Sequence, residues 1–276
     1  MNNVKMKIPS LDNLIDAFFN VYQEIGYQIG EPRTILLRKL VSNLECINAL
    51  LLAQTTHEIL IILRSAIETV VLFCYLTTHL DKQQEYILDS ELMEFKNSFI
   101  IVKDWKKDID KGNPSNLNLQ DAINYNEEIF NNHLSKENQK YVLEELKFNE
   151  YKITLDNFDK VDNFFRKDKR TRKPFFMDLE KMYSELPRLK GIDAEFRDLV
   201  FTDYNVNSQI AHGQYHIWTR GIQMDEKFIK QVKSQIVKIT TYPLTYLKGQ
   251  VTINPHNLAR LKYITDQLIA DVYRDQ

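Results

Sequence analysis

Between Ile59 and Leu76 nearly every residue is apolar, and the exceptions, Arg64, Ser65, Glu68 and Thr69, fall together in the middle. Such a stretch predicts a helix over His57–Leu80 whose whole circumference is covered, with Thr55 or Thr56 ahead of Glu58 as its cap. In a lipid bilayer each of the two central charges would cost about 2.5–3.5 kcal/mol. The segment therefore reads as the central helix of a soluble domain rather than a membrane span.

The rest of the chain must then supply helices that surround it. Leu11, Leu14, Ile15, Phe18, Phe19 and Tyr22 recur at three- and four-residue spacing in a helix opened by Ser10 and running to about Tyr27. Gly26 and Gly30 close it, and Pro32 suits the first position of a second helix whose apolar face carries Ile35, Leu36, Leu40, Leu44, Ile47, Leu50 and Leu51. Only 7 glycines and 7 prolines occur in 276 residues, too few for glycine-cornered barrels or turn-rich β folds. The fold expected is an all-α helical bundle.

A charged helix follows over Asp81 to about Ile109, and Gly112-Asn113-Pro114-Ser115 is the strongest breaker in the sequence. The polar stretch beyond it predicts short helices near Leu119–Asn131, Ser135–Phe148 and Leu155–Phe165. Helices resume at Phe175–Leu186, Ile192–Gly213, Glu226–Leu247 and Pro255–Arg274, with Pro243 expected to kink or split the penultimate one. The organisation expected is an N-terminal half of the bundle over residues 1–112, a polar helical insertion over 113–174, and a C-terminal half over 175–276.

Cys46 and Cys74 are the only cysteines, and both lie in apolar helical stretches without metal-ligand spacing. Buried thiols in a reducing compartment are expected, and the N-terminus lacks the apolar run of a signal peptide. A cytoplasmic protein with no membrane association is the reading. The formal charge of −2 excludes a bulk polycation.

Two segments carry chemistry. Arg64 and Glu68, four residues apart, share one face of the central helix and must find partners there, since an unpaired buried charge is costly. They read either as a structural ion pair or as part of a site. Tyr204, Ser208, His212 and His216 line a second face, where histidine is the natural general acid and base near neutral pH. Polar residues at a solvated helix end would give the same pattern. His212 and His216 with Glu68 would also suit a metal, although no Glu follows the first histidine as in H-E-x-x-H. The remaining histidines, His57, His79, His133 and His256, read as caps or solvated residues.

Together, Arg64-Ser65-x-x-Glu68 and Tyr204-x-x-x-Ser208-x-x-x-His212 resemble the bacterial all-helical family called domain of unknown function 5677. That resemblance implies that Arg64, Glu68, Ser208 and His212 converge in one polar pocket, without implying an activity. More widely the chain resembles HEPN domains, helical bundles that often act as metal-independent ribonucleases in toxin and phage-defence systems. Their arginine a few residues before the histidine is replaced here by Asn205 and Asn207, and Arg197 stands too far back. Arg64 would then supply the cation from the neighbouring helix.

The resemblance implies an endoribonuclease needing no metal or cofactor. In it His212 is the acid and base, Arg64 the phosphate-stabilising cation, Glu68 and Ser208 the orienting groups and Tyr204 a supporting donor. A homo-oligomer and a protein partner, an antitoxin or defence component, would accompany it. From the residues themselves, the basic run Arg166, Lys167, Lys169, Arg170, Arg172 and Lys173 can follow an RNA backbone, or simply form a solvated loop. The alternatives to a ribonuclease are a non-catalytic interaction module with a buried Arg–Glu and Ser–His network, and a metal-dependent hydrolase using His212, His216 and Glu68.

Overall fold

The computed structural model describes residues 11–112, 119–172, 176, 178–189, 193–211 and 224–273. Ser10, Asn113 to Ser115, Lys173, Phe175, Ile192, His212, Gly213, His216 and Arg274 lie outside them. Every regular element among the described residues is helical. The helices are α1 (Leu11–Ile29), α2 (Arg33–Ala53), α3 (Thr56–Thr78), α4 (Lys82–Asp110), α5 (Leu119–Asn132), α6 (Lys136–Leu146), α7 (Phe158–Lys167) and α8 (Lys169–Arg172). They continue as α9 (Leu179–Glu185), α10 (Asp193–Asp198), α11 (Tyr204–Ala211), α12 (Glu226–Leu247) and α13 (Pro255–Tyr273), with a π-helical turn over Leu199–Asp203 between α10 and α11. The all-α bundle expected from the sequence is what the chain forms.

The chain divides into two compact units, Met1–Leu80 with Leu179–Gln276, and Asp81–Asp178. In the first, α3 packs against α2, α9, α11 and α12, while α1 lies against α2 and α13. Ile59, Leu63, Ala66, Ile67, Val70, Val71 and Cys74 are all fully buried, so the most apolar helix stands at the centre, as its composition requires. Among the described residues one helix, Thr56–Thr78, is long and apolar enough to cross a membrane, and 72% of its most apolar window is buried.

Local signals set several helix ends. The Thr34 hydroxyl donates to Gly26 O at 2.9 Å, and Gly30, at φ +63°, turns the chain from α1 into α2. Thr55 takes the N-cap position of α3 in extended conformation, yet its hydroxyl turns back toward Leu50 O, 3.5 Å away, and makes no cap. α3 ends at Thr78, where the ring of His79 stacks on Tyr75 at 4.4 Å and the Tyr75 hydroxyl donates to Glu185 Oε2 of α9 at 3.1 Å. Asp225 caps α12 by accepting the Phe228 N–H at 2.8 Å. That helix runs through Pro243 as one element, so of the kink or split expected there the split does not occur. Pro243 is buried in the core, and the hydroxyls of Thr240, Thr241 and Thr245 fold back onto the helix's own carbonyls around it.

In the second unit, α4 turns its own apolar face onto the middle helices. Leu92, Phe95, Phe99 and Val102 join Phe130, Val142, Leu146, Tyr151, Val161 and Phe165 in a core built of this unit's residues. The unit thus begins at Asp81, not after the Gly112 breaker, because burial of α4 outweighs the local turn signal. Asn126, fully buried, donates to Ser98 Oγ at 2.6 Å and Phe95 O at 3.2 Å and accepts from Tyr151 OH at 2.7 Å. A buried amide satisfied on both ends fixes the register of α5 on α4. Ser135 caps α6, accepting the Asn138 N–H at 3.3 Å. The helix expected from Leu155 starts at Phe158, because the Asn157 side chain accepts Thr154 N–H and donates to Lys152 O, closing a turn.

Candidate functional site

The site is built where the polar centre of α3 meets the start of α11. Arg64 and Glu68 lie one turn apart, and Arg64 Nε donates to Glu68 Oε1 at 3.2 Å. The third member comes from 136 positions downstream: Tyr204 OH donates to the same Glu68 oxygen at 3.0 Å. Arg64 Nη2 stands 3.5 Å from that hydroxyl, and its guanidinium lies 5.5 Å from the centre of the Tyr204 ring. One carboxylate oxygen therefore holds both an arginine and a tyrosine, and the arginine is steadied by a ring face as well as by charge.

The triad opens to solvent. The side chains of Arg64 and Glu68 keep 24% and 41% of their exposure, so the pair itself contributes at most about 1 kcal/mol to stability. Burial, then the neighbouring Glu68 carboxylate, raises the Tyr204 hydroxyl above its ordinary pKa, and it remains a proton donor at neutral pH.

A π turn delivers Tyr204 to this position. The sequence predicts one helix over Ile192–Gly213, but the Tyr204 N–H bonds to Leu199 O, five residues back, and α11 starts only there. Such a turn carries one extra residue, and π turns of this kind are frequent at functional sites. Below it, Asp203 lies 3.8 Å from Lys238 of α12, and burial raises its carboxyl above the usual range. Asn207, fully buried, donates to Gln235 Oε1 at 3.2 Å, while its own Oδ1 has no hydrogen-bond partner among the described residues. Gln235 was missed by the sequence reasoning. Its signal was a lone amide between Val232 and Ile236 on the buried face of α12.

Of the four residues expected to converge, Arg64 and Glu68 come together, and Tyr204, expected as a supporting donor, joins them. Ser208 sits half-buried one turn beyond Tyr204 on the same helix, and His212 lies outside the described residues with His216. Among the described residues no group of three or more His, Cys, Asp or Glu is placed to hold a metal ion. The basic run belongs to the other unit. There Arg166 pairs with Asp162 at 2.7 Å and Arg170 with Asp89 at 2.8 Å, while Lys167, Lys169 and Arg172 are exposed and Lys173 lies outside the described residues. Cys74 is buried, and burial raises its thiol well above its ordinary pKa, whereas Cys46, expected inside, lies exposed on the outer face of α2. Comparison with family models, with curated proteins and with solved structures finds no match to this chain.

Proposed function

We propose that the chain is a HEPN-like, metal-independent endoribonuclease of a toxin or defence system, working in the cytoplasm on RNA. The observation that carries this reading is an arginine held in place by Glu68 and Tyr204 yet open to solvent. A cation preset by two partners and reachable from outside suits the charge that develops on a phosphoryl group in a transition state. In the proposed reaction the 2′-hydroxyl of a ribose attacks the adjacent phosphorus while His212 takes its proton. The bond to the 5′-oxygen breaks, the imidazolium returns the proton to that oxygen, and the products are a 2′,3′-cyclic phosphate and a 5′-hydroxyl. Arg64 stabilises the equatorial oxygens, Glu68 and Tyr204 hold Arg64, and Ser208 orients the imidazole. A homo-oligomer or an antitoxin partner would regulate it.

The test is cleavage of an RNA pool in EDTA by wild type, Arg64→Ala and His212→Ala, with circular dichroism as the folding control. Cleavage by wild type and its loss, by about 10² or more, in both folded variants supports the reading. A wild-type protein that leaves RNA intact while cleavage appears on adding a divalent metal would point instead to the hydrolase with His212, His216 and Glu68. One observation favours a non-catalytic module: Arg64, Glu68 and Tyr204 satisfy one another and tie α3 to α11. That reading expects the variants to lose stability and wild type to cleave nothing under any condition.

A further inference from the structure

One edge of α4 carries a polar side chain every seven residues, Asp89, Lys96 and Lys103, two turns apart along one face. Each fastens to the segment running from α7 into α8. Asp89 Oδ1 accepts from Arg170 Nε at 2.8 Å, Lys96 Nζ donates to Thr171 O at 2.6 Å, and Lys103 Nζ donates to Asp162 Oδ1 at 2.7 Å. α6 completes the hold from another side. The Tyr141 hydroxyl donates to Asp168 Oδ2, its ring lies 5.0 Å from the Arg170 guanidinium, and Asp168 Oδ1 accepts the Thr171 N–H at 2.8 Å. Thr171 is fully buried by this arrangement.

The consequence is an asymmetry of charge. Asp162 and Asp168 of the segment and the facing Asp89 are engaged in internal bonds, while Asp159, one turn before Asp162 on α7, stays exposed. Lys167, Lys169 and Arg172 are exposed, and none is engaged by another side chain among the described residues. Arg166, though paired with Asp162, keeps 62% of its side-chain exposure. The surface so formed is cationic, held firmly from beneath, and free of large exposed apolar residues from Asp156 to Arg172. A lipid-seeking surface would carry such apolar residues beside its cations. A phosphate backbone needs only cations in fixed places.

We propose that the exposed cations Lys167, Lys169 and Arg172, set by the α4 and α6 clamp, form a binding surface for the phosphate backbone of single-stranded RNA. It rests on the reading of RNA as substrate, but concerns binding within the second unit and not the chemistry at Arg64. Binding there is independent of base sequence and strongly dependent on salt.

The experiment measures fluorescence anisotropy of a labelled 2′-O-methyl oligouridylate, which lacks the attacking 2′-hydroxyl, against the full chain, in EDTA, over a series of KCl concentrations. The triple variant Lys167→Ala, Lys169→Ala, Arg172→Ala alters only exposed side chains, so it is expected to keep its fold, checked by circular dichroism. Loss of three phosphate contacts lowers the slope of log affinity against log salt by about 2 and weakens binding about tenfold or more at low salt. A triple variant with wild-type affinity and slope overturns the proposal, as does a wild-type chain that ignores oligouridylate and binds phosphatidylserine vesicles. The expected pattern without any RNA cleavage leaves this surface standing and removes the ribonuclease. Cleavage by a triple variant that also binds normally does the reverse.

Discussion

At the scale of single residues the molecule uses carboxylates as anchors for arginines, at Glu68 with Arg64 and at Asp89 with Arg170. The two differ in burial. The Asp89 side chain keeps only 8% of its exposure, and burial raises its carboxyl above the ordinary range, with Arg170 opposing only in part. The folded state therefore binds the proton at a higher pH than the unfolded chain does. The stability that this protonation contributes is complete below the unfolded value of about 3.9, and it is lost as pH rises through the folded value. Asp89→Asn lacks that proton uptake. Urea midpoints at pH 7 and near pH 4 are expected to show the difference between wild type and Asp89→Asn moving in favour of wild type at the lower pH. A difference that moves the other way would mean that attraction to Arg170 governs this carboxyl.

At the scale of elements, the contrast between α3 and the α10–α11 region shows what a sequence can display. The place of α3 was legible because Ile59, Leu63, Ile67 and Val70 leave it no polar side broad enough for solvent. The π turn had no such signal, since it arises from how α10 and α11 each settle on their neighbours and not from any residue type in Leu199–Asp203. The Arg64–Glu68 pair could be read from its spacing, but the shared bond with Tyr204 depends on a contact between distant positions that spacing does not encode. Removing the extra residue tests the turn directly. Deletion of the exposed Thr202 leaves a regular four-residue turn while α10 and α11 keep their faces. The expected outcome is an unfolding midpoint equal to or above wild type, with the proposed RNA cleavage reduced because Tyr204 no longer meets Glu68 at the same angle. A large loss of stability would show that the wide turn is required for packing.

At the scale of the whole molecule, the division at Asp81 and Asp178 has an energetic meaning. The breaker at Gly112 and the polarity of the residues after it suggested an insertion starting there, because local turn chemistry is visible in sequence. The burial of Phe95 and Phe99 against Phe165, Phe158 and Tyr151 is a long-range fact, and it assigns α4 to the middle helices. Phe95 is fully buried, with Phe130, Tyr151 and Phe165 rings at 5.1–5.6 Å, so Phe95→Ala opens a cavity and costs about 3–5 kcal/mol. A core made of one unit's residues confines that loss to the unit. Trp105 packs against the same core, so in a Trp218→Phe background its fluorescence follows the second unit alone. Phe95→Ala is expected to move the Trp105 transition to lower denaturant while a later part of the circular dichroism transition stays in place. Movement of the entire circular dichroism curve together with the fluorescence would show that the two cores unfold as one.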